Sequence, residues 1–237
     1  VSPLLVVLGA RPLGNAPHAA FDELAARPET RRFELAPMTL QGTAHVLTRH
    51  LGAPPTDRLA QAIFDRTHGN PFFIGELALA LTERGLVTLE AGRARLVDTR
   101  ESADALALPD TMQAAILSRL DRLEPRQQLA LKVASVIGRS FPFETLDAIY
   151  PVVQDRPHLR STCDELVRLE LTTPHRPEPE PSWAHSQETT REVAYDLLLY
   201  GQRQRLHRAV AETLEEQNPT RRERLAPLLA WHWDQAD

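Results

Sequence analysis

Thr67-His68-Gly69-Asn70-Pro71-Phe72-Phe73-Ile74-Gly75-Glu76-Leu77 is the stretch that decides the fold class. Glycine permits the tight reversal that ends one helix, and proline in a first helical turn gives up no hydrogen bond. The apolar residues that follow, up to Leu81, run to a stop at Gly85. Upstream, Thr56-Asp57 opens a helix bearing Leu59, Ile63 and Phe64, and Thr39 caps one bearing Ala44, Val46, Leu47 and Leu51. Residues 37–86 therefore read as a small all-α unit. Val87-Thr88-Leu89, Gly92 and Arg95-Leu96-Val97 predict a short hairpin, and 98–107 a polar linker, together filling 87–108.

Helical patterning resumes at Pro109-Asp110, with Met112, Ile116, Leu120 and Leu123 forming one apolar stripe. Pro125 opens the next helix, which Gly138 ends; further helices fall near 144–150 and through Leu159, Cys163, Leu166 and Leu169. Leu171-Thr172-Thr173 and Ser182-Trp183-Ala184 flank the Pro/Glu-rich segment 175–181 and predict paired strands. Helices followed by such a hairpin describe a winged helix over 109–200. Residues 201–237 are helical, and Leu225, Leu228, Trp231 and Trp233 read as the start of TPR-like helical repeats, which stack to bury their apolar faces.

The first 36 residues differ. Residues 4–8 are a continuous apolar run bounded by Gly9 and Pro12, the pattern of a buried strand, and 32–35 a second strand after a helix at 21–26. That order predicts a remnant of a parallel α/β sheet. Two strands are too few to bury both faces, so the chain is expected to begin inside a domain, with 1–36 its least secure part. The fold class expected is mainly α, with this remnant in front.

Composition removes several functions. The 237 residues are 42% hydrophobic and 25% charged, with net charge −5, which argues against a phosphate-binding surface for nucleic acid. No apolar run reaches the roughly 18–20 residues that span a bilayer, and no basic segment precedes residues 4–8 as in a secretory signal. Cys163 is the sole cysteine, which fits a reducing cytoplasm. Lys132, the sole lysine, follows Leu131, so the phosphate-binding G-x-x-x-x-G-K-[ST] loop is absent. His175, His185 and His207 lack metal-ligand spacing, and no activated nucleophile setting occurs. No catalytic or metal-binding residue is expected.

Several segments, in order, resemble one family, the STAND-type AAA-like signalling P-loop ATPases of bacterial regulators, found fused to nucleotide cyclase or LuxR-type domains. Residues 69–77 look like its GNPFF-x-x-EL signature. Leu108-Pro109-Asp110-Thr111 through Arg119-Leu120-Asp121-Arg122-Leu123, and Ala134-Ser135-Val136-Ile137-Gly138-Arg139-Ser140-Phe141, are similar to further segments of it. Trp183-Ala184-His185 with Arg191-Glu192-Val193-Ala194-Tyr195 resembles its F-x-H … RE-x-x-Y segment. Arg205-Leu206-His207-Arg208 and Ala230-Trp231-His232-Trp233 resemble its passage into helical repeats.

The resemblance implies a helical lid at 37–86 and a regulatory winged helix, closing over ATP or ADP held with Mg by a P-loop core upstream. It implies nucleotide contacts from Arg11 at a sensor strand, from Gly69, Asn70 and Pro71 beside the adenine, and from His185 to a phosphate. Partners implied are that core, downstream repeats and an effector, in the cytoplasm and away from membranes. The chain alone is expected neither to hydrolyse ATP nor to hold nucleotide tightly, whereas the parent is expected to be an ATPase. Two alternatives are a DNA-binding winged helix, with Arg156, Arg160 and Arg168 on its recognition helix, and a protein-interaction scaffold.

Overall fold

The computed structural model describes residues 5–8, 23–97, 110–177, 179–219 and 222–237. Arg11, the linker at 98–107 and Glu178 of the Pro/Glu-rich segment lie outside them. The chain divides into Val1–Pro37 and Met38–Asp237. The protein is mainly helical, with two small antiparallel sheets.

In the first division the expected parallel sheet is not found. Residues 5–8 and 31–36 form no strand, and Leu5, Val6, Val7, Leu8, Phe33 and Leu35 are 62–96% exposed. The physical reason is pairing: an apolar run becomes a strand only where neighbours take its backbone N–H and C=O groups. Among the described residues none do. Of the helix expected at 21–26, residues 21 and 22 lie outside the described residues and 23–25 are helical.

In the second division, α1 (Leu40–Leu51), α2 (Asp57–Thr67) and α3 (Pro71–Glu83) build one core. Their starts are set by side chains: Thr39 accepts from the Gly42 amide, Thr56 from that of Leu59, and Asn70 from those of Phe72 and Phe73. Such caps are worth about 1 kcal/mol each. Phe73, Ile74, Leu77, Ala78 and Leu81 are all buried, so α3 is enclosed nearly all round. β1 (Val87–Glu90) and β2 (Arg93–Leu96) turn through Ala91 and Gly92, both at positive φ, the two-residue loop that matches strand twist. Ala94 anchors this hairpin, exchanging backbone hydrogen bonds with Pro54 and Thr56 at 2.9 and 2.8 Å.

The second core surrounds α5 (Pro125–Ile137), whose residues from Ala130 to Ile137 are buried save Lys132. Against it lie α4 (Met112–Leu120), α6 (Phe143–Ile149), α7 (Leu159–Arg168) and α8 (Glu188–Asp196). A 3-10 turn, Val153–His158, precedes α7. The helix expected to open at Pro109-Asp110 starts at Met112, because Thr111 caps it by accepting from the Ala114 amide at 3.1 Å. A three-stranded sheet, ordered β3-β5-β4, comprises β3 (Ser140–Pro142), β4 (Thr172–Arg176) and β5 (Ser182–His185). Finally α9 (Tyr200–Gln217) and α10 (Arg222–Ala236) pack on one another. No helix among the described residues is long and apolar enough to cross a membrane.

Amide exchange followed by mass spectrometry checks the contrast between the divisions. Residues 5–8 and 31–36 are expected to exchange at nearly unprotected rates, while 130–137 show the slowest exchange in the chain.

Candidate functional site

Gly69, Asn70 and Pro71 meet at the junction of α2 and α3. His68 and Gly69 both have positive φ, 47° and 76°, and the Gly69 carbonyl accepts from the Met38 amide at 2.8 Å. A Cβ on Gly69 would lie 2.1 Å from the Met38 carbonyl oxygen, so only glycine fits. The Asn70 Oδ1 accepts from Phe72 and Phe73 at 3.0 and 3.2 Å. The first free N–H groups of α3 are thereby taken. What remains outward is the exposed Pro71 ring, an apolar surface rather than an anion-binding one.

His185 ends β5 and lies inside the other core. It is 3% exposed, its ring centroid is 5.4 Å from that of Phe141, and its ring nitrogens make no close hydrogen bond, the Ala134 backbone being the polar partner that acts on the ring. Burial lowers its pKa to about 4, helped by Arg191 and opposed by the Ala134 backbone and Glu188. It is thus a neutral imidazole. Arg191 is itself held, at 2.6 Å from Glu188 and donating to the Ser135 carbonyl at 3.1 Å. The structure brings Gly69, Asn70 and Pro71 together and assigns His185 to a separate core. A surface cleft of about 510 Å³ lies elsewhere, lined by Glu83, Arg84, Arg119, Arg122, Gln127 and Leu169 among others.

Two polar clusters went unread in the sequence. Glu76 and Arg119, from two different resembling segments, meet at 2.7 Å with side chains 5% and 13% exposed. Burial raises the Glu76 pKa even though Arg119 pulls it down. Further on, the Tyr195 hydroxyl lies 2.9 Å from His207 Nε2, and His207 Nδ1 lies 2.9 Å from His232 Nδ1. Both histidines are fully buried, and burial lowers each pKa to about 4. The only signal in the sequence was that both sets fall within the resembling segments.

Other candidates are engaged structurally. Arg156 donates to the carbonyls of Ala148 and Tyr150 at 3.0 and 3.1 Å, and Arg160 lies over the rings of Phe143 and Trp183. Neither offers the outward fork that a DNA phosphate needs. Cys163 is buried, and burial pushes its pKa up to about 12, so it stays a thiol. Among the described residues no three His, Cys, Asp or Glu side chains gather as a metal site.

Residues 43–95 match a family described as a domain of unknown function (DUF8739). The match runs from within α1 to within β2, less than half of the chain. No curated protein matches the sequence.

Two measurements check this geometry. Gly69→Ala and Asn70→Ala are each expected to lower stability in urea unfolding, by about 1 kcal/mol or more. Stability should also fall with acid. Above pH 6.5, the ordinary histidine value, His185 is neutral folded and unfolded. As pH drops from there to about 4, the unfolded chain takes a proton that the folded one refuses. The full effect is about 3 kcal/mol for this one residue. His185→Leu should remove that part of the slope and leave the part from His207 and His232.

Proposed function

We propose that this chain is the nucleotide-sensing lid and regulatory half of an ATP-binding signalling ATPase of the STAND type, working with a P-loop core in the same polypeptide. In this reading 37–86 is the lid, 109–200 a winged helix carrying the wing β4–β5, and 201–237 leads into helical repeats. ADP with Mg holds lid and core together, and ATP with an effector releases them. The phosphates and the metal belong to the P-loop core, so this chain supplies no catalytic group.

The observation that carries the reading is His185. A buried imidazole served only by the Ala134 backbone, with no close hydrogen bond, has capacity to spare, and it stands where the resemblance puts a phosphate contact. A group so lightly engaged within its own chain fits a further partner brought from outside. Two further observations support it. Residues 5–8, 33 and 35 expose apolar side chains that neighbouring strands of a P-loop sheet would cover. The resembling segments also engage one another, Glu76 with Arg119 and Tyr195 with His207 and His232. A common fold requires that, although it leaves the chemistry open.

The residues assigned to nucleotide in this proposal are Arg11, Gly69, Asn70, Pro71 and His185. Asn70 uses its side chain on its own helix, so its part is to set the start of α3 and present Pro71. His185 would reach a phosphate once the Glu188–Arg191 pair beside it is displaced.

Thermal unfolding of a longer protein that includes the P-loop core tests this. ADP at 100 times its Kd should stabilise that protein by about 2.7 kcal/mol, and His185→Ala should weaken ADP binding about tenfold or more. The chain described here should show neither nucleotide-dependent melting nor hydrolysis. Unchanged ADP affinity in His185→Ala would sink the phosphate assignment. Salt-sensitive binding of the chain to duplex DNA would favour the transcription-factor alternative instead.

A further inference from the structure

We propose that the Glu76–Arg119 pair is a latch that holds the α1–α3 module against the module built on α5, and that opening it separates the two as intact bodies. Each module has its own hydrophobic core. The seam between them has an apolar part: Ala115 belongs to the first core, Met112 touches both, and Phe72 reaches the second. The rest is charged. Glu76 meets Arg119, Glu83 meets Arg122 at 2.7 Å, and Arg66 lies 4.0 Å from Asp110. Seams that mix apolar contacts with ion pairs in this way are of the kind across which domains move.

The pairs are unequal. Glu83 and Arg122 are about 40% exposed, and such a pair contributes little. Glu76 and Arg119 are desolvated, and the other arm of Arg119 donates to the Leu169 carbonyl at the end of α7. One guanidinium therefore joins α3, α4 and the end of α7. Attraction within a buried pair is largely offset by the loss of hydration, so the pair adds little net stability while fixing geometry. Breaking it is another matter, because the remaining charge is stranded. The cleft of about 510 Å³, lined by Arg119, Arg122, Glu83 and Leu169, runs beside the pair and lets water follow an opening. The other carboxylates that act on Glu76, Glu83 and Glu170, oppose its charge and favour release. The latch needs no nucleotide, so it stands or falls apart from the function proposed above.

Spin labels at Leu89→Cys and Leu199→Cys, 65% and 71% exposed in the two modules, measure the separation directly. Cys163, 1% exposed, is shielded from labelling. With Glu76 and Arg119 intact, a single narrow distance distribution is expected. In Glu76→Gln and in Arg119→Ala a second, longer distance should appear in more than about 10% of molecules. Helical circular dichroism should hold, as should the fluorescence of Trp183, Trp231 and Trp233, all outside α1–α3. If Arg119→Ala fails to fold, the milder Glu76→Gln decides. An unchanged distribution in the folded variants overturns the latch, as does joint loss of helicity and tryptophan signal in Glu76→Gln.

Discussion

A carboxylate in the middle of a helix enclosed nearly all round constrains everything around it. α3 carries Glu76 among Phe73, Ile74, Leu77 and Ala78, all buried. Its charge survives there only if a cation is delivered at hydrogen-bond distance. Arg119 does this at 2.7 Å from α4, and its other arm takes the Leu169 carbonyl. The position of α4 follows, and α4 in turn supplies Ala115 to one core and Ile116 and Leu120 to the other. The end of α7, and so the start of β4, is fixed by the same guanidinium. Hydrophobic burial contributes most of the free energy here, but it is indifferent to register. The ion pair selects one arrangement among many that bury similar area.

The carboxy-terminal helices use the same device with neutral groups. Between His207 and His232 only one of the two facing Nδ1 atoms can carry the shared hydrogen, so the tautomers are coupled. If His232 donates to His207, His207 Nε2–H donates to the Tyr195 oxygen, and the unpartnered His232 Nε2 is a lone pair. The reverse order would bury an unpaired N–H, which proteins avoid more strictly. The first arrangement is therefore favoured. It ties α8, α9 and α10 in one line, a polar seam specifying how the last helix seats.

What was legible in the sequence was local. Thr39, Thr56, Pro71, Pro125, Gly85 and Gly138 mark helix ends by chemistry acting within a turn or so, and each lies at the end of a helix in the structure. β3 was missed because three residues, one a proline, show no alternation. The apolar run at 5–8 forms no strand among the described residues, because strand formation is decided by neighbours, which a pattern does not contain. Glu76 and Arg119 are 43 positions apart, and His207 and His232 25. No periodicity connects such pairs. The resembling segments did include all four residues, but without a structure nothing distinguished a seam from a ligand site.

That distinction bears on the candidate site itself. Gly69 is explained by Met38 and Asn70 by the cap it makes, so neither residue needs a nucleotide to account for it. His185 is engaged more lightly, by the Phe141 ring and the Ala134 backbone. Its ring is neutral because it is buried, with Arg191 adding to the effect. An anion arriving beside it would reverse the balance, since a nearby negative charge favours the imidazolium. Drawing Arg191 away would act in the same direction. Binding at this position would then take up a proton, and a neutral histidine would become a paired cation. An aliphatic residue would fill the same space but could take neither the Ala134 backbone contact nor a proton.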